Sequence, residues 1–93
     1  MVGLVAEESE RERKPLFIGE FGVERRTGTL EQQKTAFEEF LAAFERHRVP
    51  LAAFWVFDYP AMEADWNVSF QNDRAFMIGL VARANARIRS GTR

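Results

Sequence analysis

Two kinds of hydrophobic pattern divide this chain. Residues 16–18 (Leu-Phe-Ile) and 51–57 (Leu-Ala-Ala-Phe-Trp-Val-Phe) are continuous apolar runs. Short runs of this kind, bounded by Pro or Gly, predict strands buried on both faces, as in a parallel sheet. Between them, Phe37, Phe40, Leu41 and Phe44 recur at i, i+3, i+4 and i+7. That spacing predicts one apolar stripe on a helix from about residue 30 to 47. Thr29, with Gln32 three positions on, predicts a capping box at its start. His47 and Arg48 place positive charge at the negative end of its dipole, and Pro50 is the expected stop. Met77, Leu80, Val81, Ala84 and Ile88 define the buried face of a last helix, capped by Asn72 or Asp73 and ending near Arg89. Ahead of the first strand, Val2, Leu4 and Val5 give way to charged residues from Glu7 to Arg13. That stretch reads as an exposed helix end closed by Lys14-Pro15. Residues 21–28 and 58–69 read as loops.

The expected order is helix, strand, helix, strand, helix. Strands alternating with helices predict an α/β fold with two parallel strands joined by a right-handed crossover. Two such strands alone leave both outer edges unpaired, which is a poor free-standing sheet.

The chemistry concentrates at the end of the first strand. There Glu20 stands between Gly19 and Gly22, after an apolar run. Strand packing gives little reason for a carboxylate at that place, and the glycines let backbone or ligand approach closely. Lys14 to Gly22, with its Gly-Glu-Phe-Gly, resembles the seventh-strand motif of clan A glycoside hydrolases, closest to the cellulase family (glycoside hydrolase family five). Ala53-Phe54-Trp55-Val56-Phe57-Asp58 resembles that family's eighth strand. Trp66-Asn67-Val68-Ser69, followed by a helix containing Asn85, resembles the segment that closes the barrel. The resemblance spans nearly the whole chain but only the last quarter of the family's domain. It implies the last quarter of a (β/α)8 barrel, a fold of typically ~250 residues with its active site at the C-terminal strand ends.

The resemblance further implies residue roles. Glu20 becomes the nucleophile of retaining hydrolysis of β-linked polysaccharide. Trp55 becomes the floor of the sugar subsite, with a cis peptide to Val56. Asp58 is expected to brace the loop or hydrogen-bond substrate, and Tyr59 and Trp66 to line outer subsites or pack locally. Arg25 and Arg26 either touch substrate hydroxyls or solvate their loop. Retaining hydrolysis needs two carboxyl groups ~5–5.5 Å apart. The family's proton donor follows Asn in an Asn-Glu-Pro triplet, which this sequence lacks. The chain alone is therefore expected to be inactive.

Composition narrows the alternatives. The 93 residues carry a net charge of −1, with no Cys and one His. No electrostatic footprint for nucleic acid or an anionic membrane is present, and no apolar run approaches ~18 residues. Neither a metal-ligand cluster nor a nucleophile triad can be assembled, and no cofactor is implied. Residues 1–13 lack the basic start and apolar centre of a signal peptide. Nine Phe and two Trp are many for this length. Some apolar faces are thus expected to meet neighbours, either the missing barrel strands or another copy. The competing reading is a non-catalytic module that self-associates through its strand edges. A barrel enzyme for phosphorylated substrates ranks last, resting only on Thr27-Gly28-Thr29.

Overall fold

The structure, a computed structural model, describes residues 2–14 and 17–90. The elements are α1 (Val2–Glu12), β1 (Phe17–Phe21), a 3-10 turn at Arg25–Thr27, α2 (Leu30–Arg46), β2 (Leu51–Phe54), a second 3-10 turn at Pro60–Met62, and α3 (Phe76–Arg89). The chain is α/β, with three helices and two parallel strands, as the pattern predicted. Leu16 and Pro15 lie outside the described residues, as do the side chains of Val2, Leu4 and Val5.

Helix α2 forms as its sequence dictates. Gln32 donates its backbone N–H to Thr29 Oγ1 (3.2 Å), and Thr29 N–H donates to Gln32 Oε1 (2.7 Å). Both halves of the capping box are therefore made, satisfying two otherwise orphaned donors. Phe37, Leu41 and Phe44 are buried and Phe40 is half-buried. The stop differs in its cause from the expectation. Arg48 adopts φ 52° and donates its backbone N–H to Glu45 O, while Val49 N–H donates to Phe44 O. This pairing is a Schellman motif with Arg in the place that glycine favours. Pro50 lies beyond it.

Helix α3 begins at Phe76, with no side-chain cap at Ala75. Asn72 instead accepts the backbone N–H of Arg74 (2.9 Å) and of Ser69 (3.3 Å), building the turn that leads into the helix. Met77, Leu80 and Ala84 are buried as predicted, Val81 is half-buried, and Ile88 is more than a third exposed.

The strands correct the sequence reading in two ways. β1 continues to Phe21, past the apolar run 16–18 that predicted it and into the stretch read as a loop, while β2 stops at Phe54 rather than Phe57. Burial on both faces is also not observed. Ile18, Phe21, Ala52 and Phe54 pack toward the helices, whereas Gly19, Glu20, Leu51 and Ala53 are exposed. Helices cover one face of the sheet, and no described residue covers the other. Leu51 stands 60% exposed as a result.

Phe21 centres the core. Its ring meets those of Phe37 (5.6 Å), Phe40 (5.6 Å), Phe44 (4.8 Å, edge-on) and Phe54 (6.3 Å). Burying such a side chain contributes about 2–3 kcal/mol, with ~0.5–1.5 kcal/mol more per favourable ring pair. This anchor holds the strand end that carries Glu20.

Candidate functional site

The strand register explains how Glu20 is presented. Ile18 pairs with Ala52 and Phe21 with Phe54, so two residues of β1, Gly19 and Glu20, oppose the single Ala53 of β2. An extra residue of this kind is a β-bulge, which breaks the alternation and re-aims a side chain. Ile18 and Phe21 consequently share the helix face, and Glu20 is turned to the open face. Its carboxylate has no hydrogen-bond or ion-pair partner among the described residues.

Glu20, Phe21, Gly22, Trp55 and Trp66 line one cleft of about 280 Å³, open to solvent. That volume lies at the lower edge of small-molecule sites, which run to ~300–1,000 Å³. The structure thus brings together Glu20, Trp55 and Trp66 from two strand ends and the loop after β2. Asp58 and Tyr59 are exposed and do not line this cleft. Asp58 has φ 55° and gives its backbone N–H to Val68 O (2.8 Å). Tyr59 gives its backbone N–H to Asn67 Oδ1 (2.7 Å). Among the described residues, Glu20 is the only carboxylate lining the cleft.

Backbone contacts fix the walls. Trp55 N–H donates to Phe21 O (2.7 Å), extending the pairing one residue past β2. The Trp55–Val56 peptide is cis. Val68 N–H donates to Val56 O (2.9 Å), and Phe57 bridges Val68 in parallel. Gly22 passes directly beneath both tryptophans. A Cβ there would lie 2.5 Å from Trp55 O and 3.3 Å from the Trp66 ring. Only glycine fits so close to a carbonyl, as the sequence implied for Gly22.

Behind the cleft, a polar network joins the loop after β1 to the loop after β2. Arg25 N–H donates to Asp65 O (2.8 Å) and Arg25 Nε to Glu63 O (2.7 Å). Its guanidinium also pairs with Glu63 (3.1 Å) and Asp73 (2.8 Å). Neither role weighed for Arg25, touching substrate hydroxyls or solvating its loop, included this tie between two loops. Arg26 stays exposed and pairs with Glu24 (2.9 Å). Glu63 also accepts from Asn67 Nδ2 (2.9 Å) and Asn72 Nδ2 (3.3 Å). These two amides, and then Arg25, hold its carboxyl below the ordinary glutamate range. The Arg25 hydrogen bond likewise lowers Asp73, and Asp73 raises Arg25 in return.

Arg74 was not foreseen. It is fully buried, giving Nη2 to Val23 O and Nη1 to Asp65 O (3.4 Å). Burial lowers its pKa. Its Nε has no partner among the described residues. A lone Arg in the polar run Gln71-Asn72-Asp73-Arg74 gave no signal, because such runs usually solvate. Asn67 and Gln33 are buried too. Gln33 Nε2 donates to Gly28 O (3.0 Å) and Arg25 O (3.3 Å), fastening the 3-10 turn to α2.

No group of three or more His, Cys, Asp or Glu among the described residues could hold a metal ion. No described helix is long and apolar enough to cross a membrane. Comparison with protein-family models, with curated proteins and with solved structures finds no match.

Proposed function

We propose that this chain forms the nucleophile-bearing and sugar-stacking part of a retaining glycoside hydrolase, the last quarter of a (β/α)8 barrel. The observation that carries the reading is an unpartnered carboxylate, Glu20, set by a bulge into one cleft with two indoles. A carboxylate without a charge or hydrogen-bond partner is free to react. Indole faces suit the C–H faces of a sugar ring. In the proposed reaction a Glu20 oxygen bonds to the anomeric carbon of a β-linked polysaccharide as the glycosidic C–O bond breaks. The leaving oxygen takes a proton from a carboxylic acid supplied by the rest of the barrel. Water then cleaves the glycosyl ester. That Glu20 is the single carboxylate lining the cleft among the described residues fits a chain that supplies only one of the two groups.

Labelling tests this. A fluorinated β-glycoside with an activated leaving group, reacted with the complete enzyme, is expected to add its mass to the peptide containing Glu20. Glu20→Gln is expected to abolish labelling. Labelling at another residue refutes the assignment. The 93-residue chain by itself is expected to release no aryl group from an aryl β-glycoside.

A second reading is favoured by one feature, the uncovered sheet face. Leu51 is 60% exposed. Beyond the end of β2, outside the sheet, Phe57 and Phe70, 46% and 69% exposed, meet edge-on at 5.7 Å and add a second exposed apolar spot. Such a surface suits pairing with a second copy. Sedimentation of the wild type and of Leu51→Lys decides it: a dimer that becomes monomeric in the variant supports self-association, and a monomeric wild type excludes it.

A further inference from the structure

We infer that Met62 is the positioning residue of the cleft, orienting the Trp55 indole toward a carbohydrate ligand and fixing the main chain that carries Trp66; its relevance to sugar binding rests on the function proposed above. Met62 ends the 3-10 turn at Pro60–Met62 and is half-buried. Its side chain and its backbone each hold one wall of the cleft.

The side chain holds Trp55. Indole Nε1–H donates to Met62 Sδ at 3.2 Å. The backbone of Trp55 is already fixed by its N–H bond to Phe21 O and by the close passage of Gly22 beneath its carbonyl. What remains free is rotation of the ring about its two side-chain bonds. The Nε1–H to Sδ bond removes that freedom, because the indole has one donor and no other polar atom. Thioethers also pack well against aromatic edges. With its N–H turned to sulfur, Trp55 can offer a ligand only its ring. Contact with the ligand is then apolar, through sugar C–H groups, and carries no hydrogen bond.

The backbone holds Trp66. Met62 O accepts N–H groups from Asp65, Trp66 and Asn67, each at 3.0 Å. Asn67 in turn is buried and reaches Tyr59 N–H and Glu63. The loop from Tyr59 to Asn67 is thus closed on itself around Met62, and Trp66 leaves it toward Gly22. One residue on a short turn therefore fixes the Trp55 ring and the main chain that carries Trp66, the two tryptophans that share the cleft with Glu20. A methionine in a loop carries no such signal in sequence.

The test is nuclear magnetic resonance of the two indole N–H groups, followed by titration with cellohexaose. Met62→Leu keeps volume and the backbone carbonyl but loses the acceptor. Met62→Gln restores an acceptor oxygen at nearly the same reach. In Met62→Leu the Trp55 indole N–H is expected to move upfield and to exchange with water about tenfold faster, while the Trp66 indole stays in place. Met62→Gln is expected to recover most of the shift. Cellohexaose affinity is expected to fall about five- to tenfold in Met62→Leu, the scale of one lost hydrogen bond. An unmoved Trp55 indole in Met62→Leu overturns the inference, as does equal loss in Met62→Gln. If Met62→Leu does not fold, the wild type alone decides: a Trp55 indole that exchanges as fast as a free one overturns the inference. If the Trp55 signal behaves as expected but cellohexaose binds neither this chain nor the complete enzyme, the carbohydrate reading is refuted and the placement by Met62 stands.

Discussion

Gly22→Ala tests the close approach on which the cleft depends. The added Cβ would sit 2.5 Å from Trp55 O, while ordinary contact begins near 3.4 Å, so about 0.9 Å of separation must be found. The obstacle is backbone, and it is held on both sides. Trp55 N–H is bonded to Phe21 O at 2.7 Å, and Val56 O accepts from Val68 at 2.9 Å. A flexible side chain could move aside, but this carbonyl cannot without breaking the pairing of the strand ends. Overpacking of this kind costs about 1–3 kcal/mol, and the backbone obstacle places it in the upper half of that range. For a domain of this size the loss corresponds to roughly 10–20 °C in Tm. Gly79→Ala is the matched control. Its Cβ would meet only the end of Arg83, at 3.4 Å, inside α3. There the helix propensity of Ala is expected to raise stability by about 0.8–1 kcal/mol. Thermal unfolding followed by circular dichroism, with tryptophan emission as a reporter on the cleft, reads both. A Gly22→Ala protein with unchanged Tm and unchanged emission would refute the reasoning.

Three further outcomes follow from the same structure. Arg48→Gly replaces a strained left-handed residue at the end of α2 and is expected to stabilise by about 0.5–1 kcal/mol in urea unfolding. Arg74→Met leaves Val23 O without its donor in a buried place and Asp65 O with the Arg25 N–H alone, and is expected to cost about 1–3 kcal/mol at unchanged fold, read from the urea midpoint. The carboxyls of Glu63 and Asp73 sit lower in the folded chain than unfolded, so their contribution is complete above their unfolded values near pH 4.5 and 3.8. It is lost as pH falls below those values through the lower folded ones. Acid titration of Trp66 emission is expected to show this loss, shifted in Glu63→Gln; a transition centred above pH 5 would contradict it.

Much of the fold was legible because it is set by short-range physics. The 3.6-residue stripe of Phe37, Phe40, Leu41 and Phe44 and the Thr29–Gln32 box each involve neighbours within two helical turns, and both formed as expected. Gly22, two residues after Glu20, was legible for a similar reason, since few residues fit where backbones touch. The site was legible in part. Glu20, Trp55 and Trp66 were named, and they do meet in one cleft.

The remainder is long-range, and no local pattern encodes it. The bulge that turns Glu20 outward depends on the register between β1 and a strand thirty residues away. Sequence alternation alone would have assigned the neighbouring face. Arg74 reads as a surface cation until tertiary packing places two carbonyls from separate loops around it and removes water. The open sheet face also appears only in three dimensions. Apolar composition sets what a strand is willing to bury, whereas the elements folded against it decide what is buried.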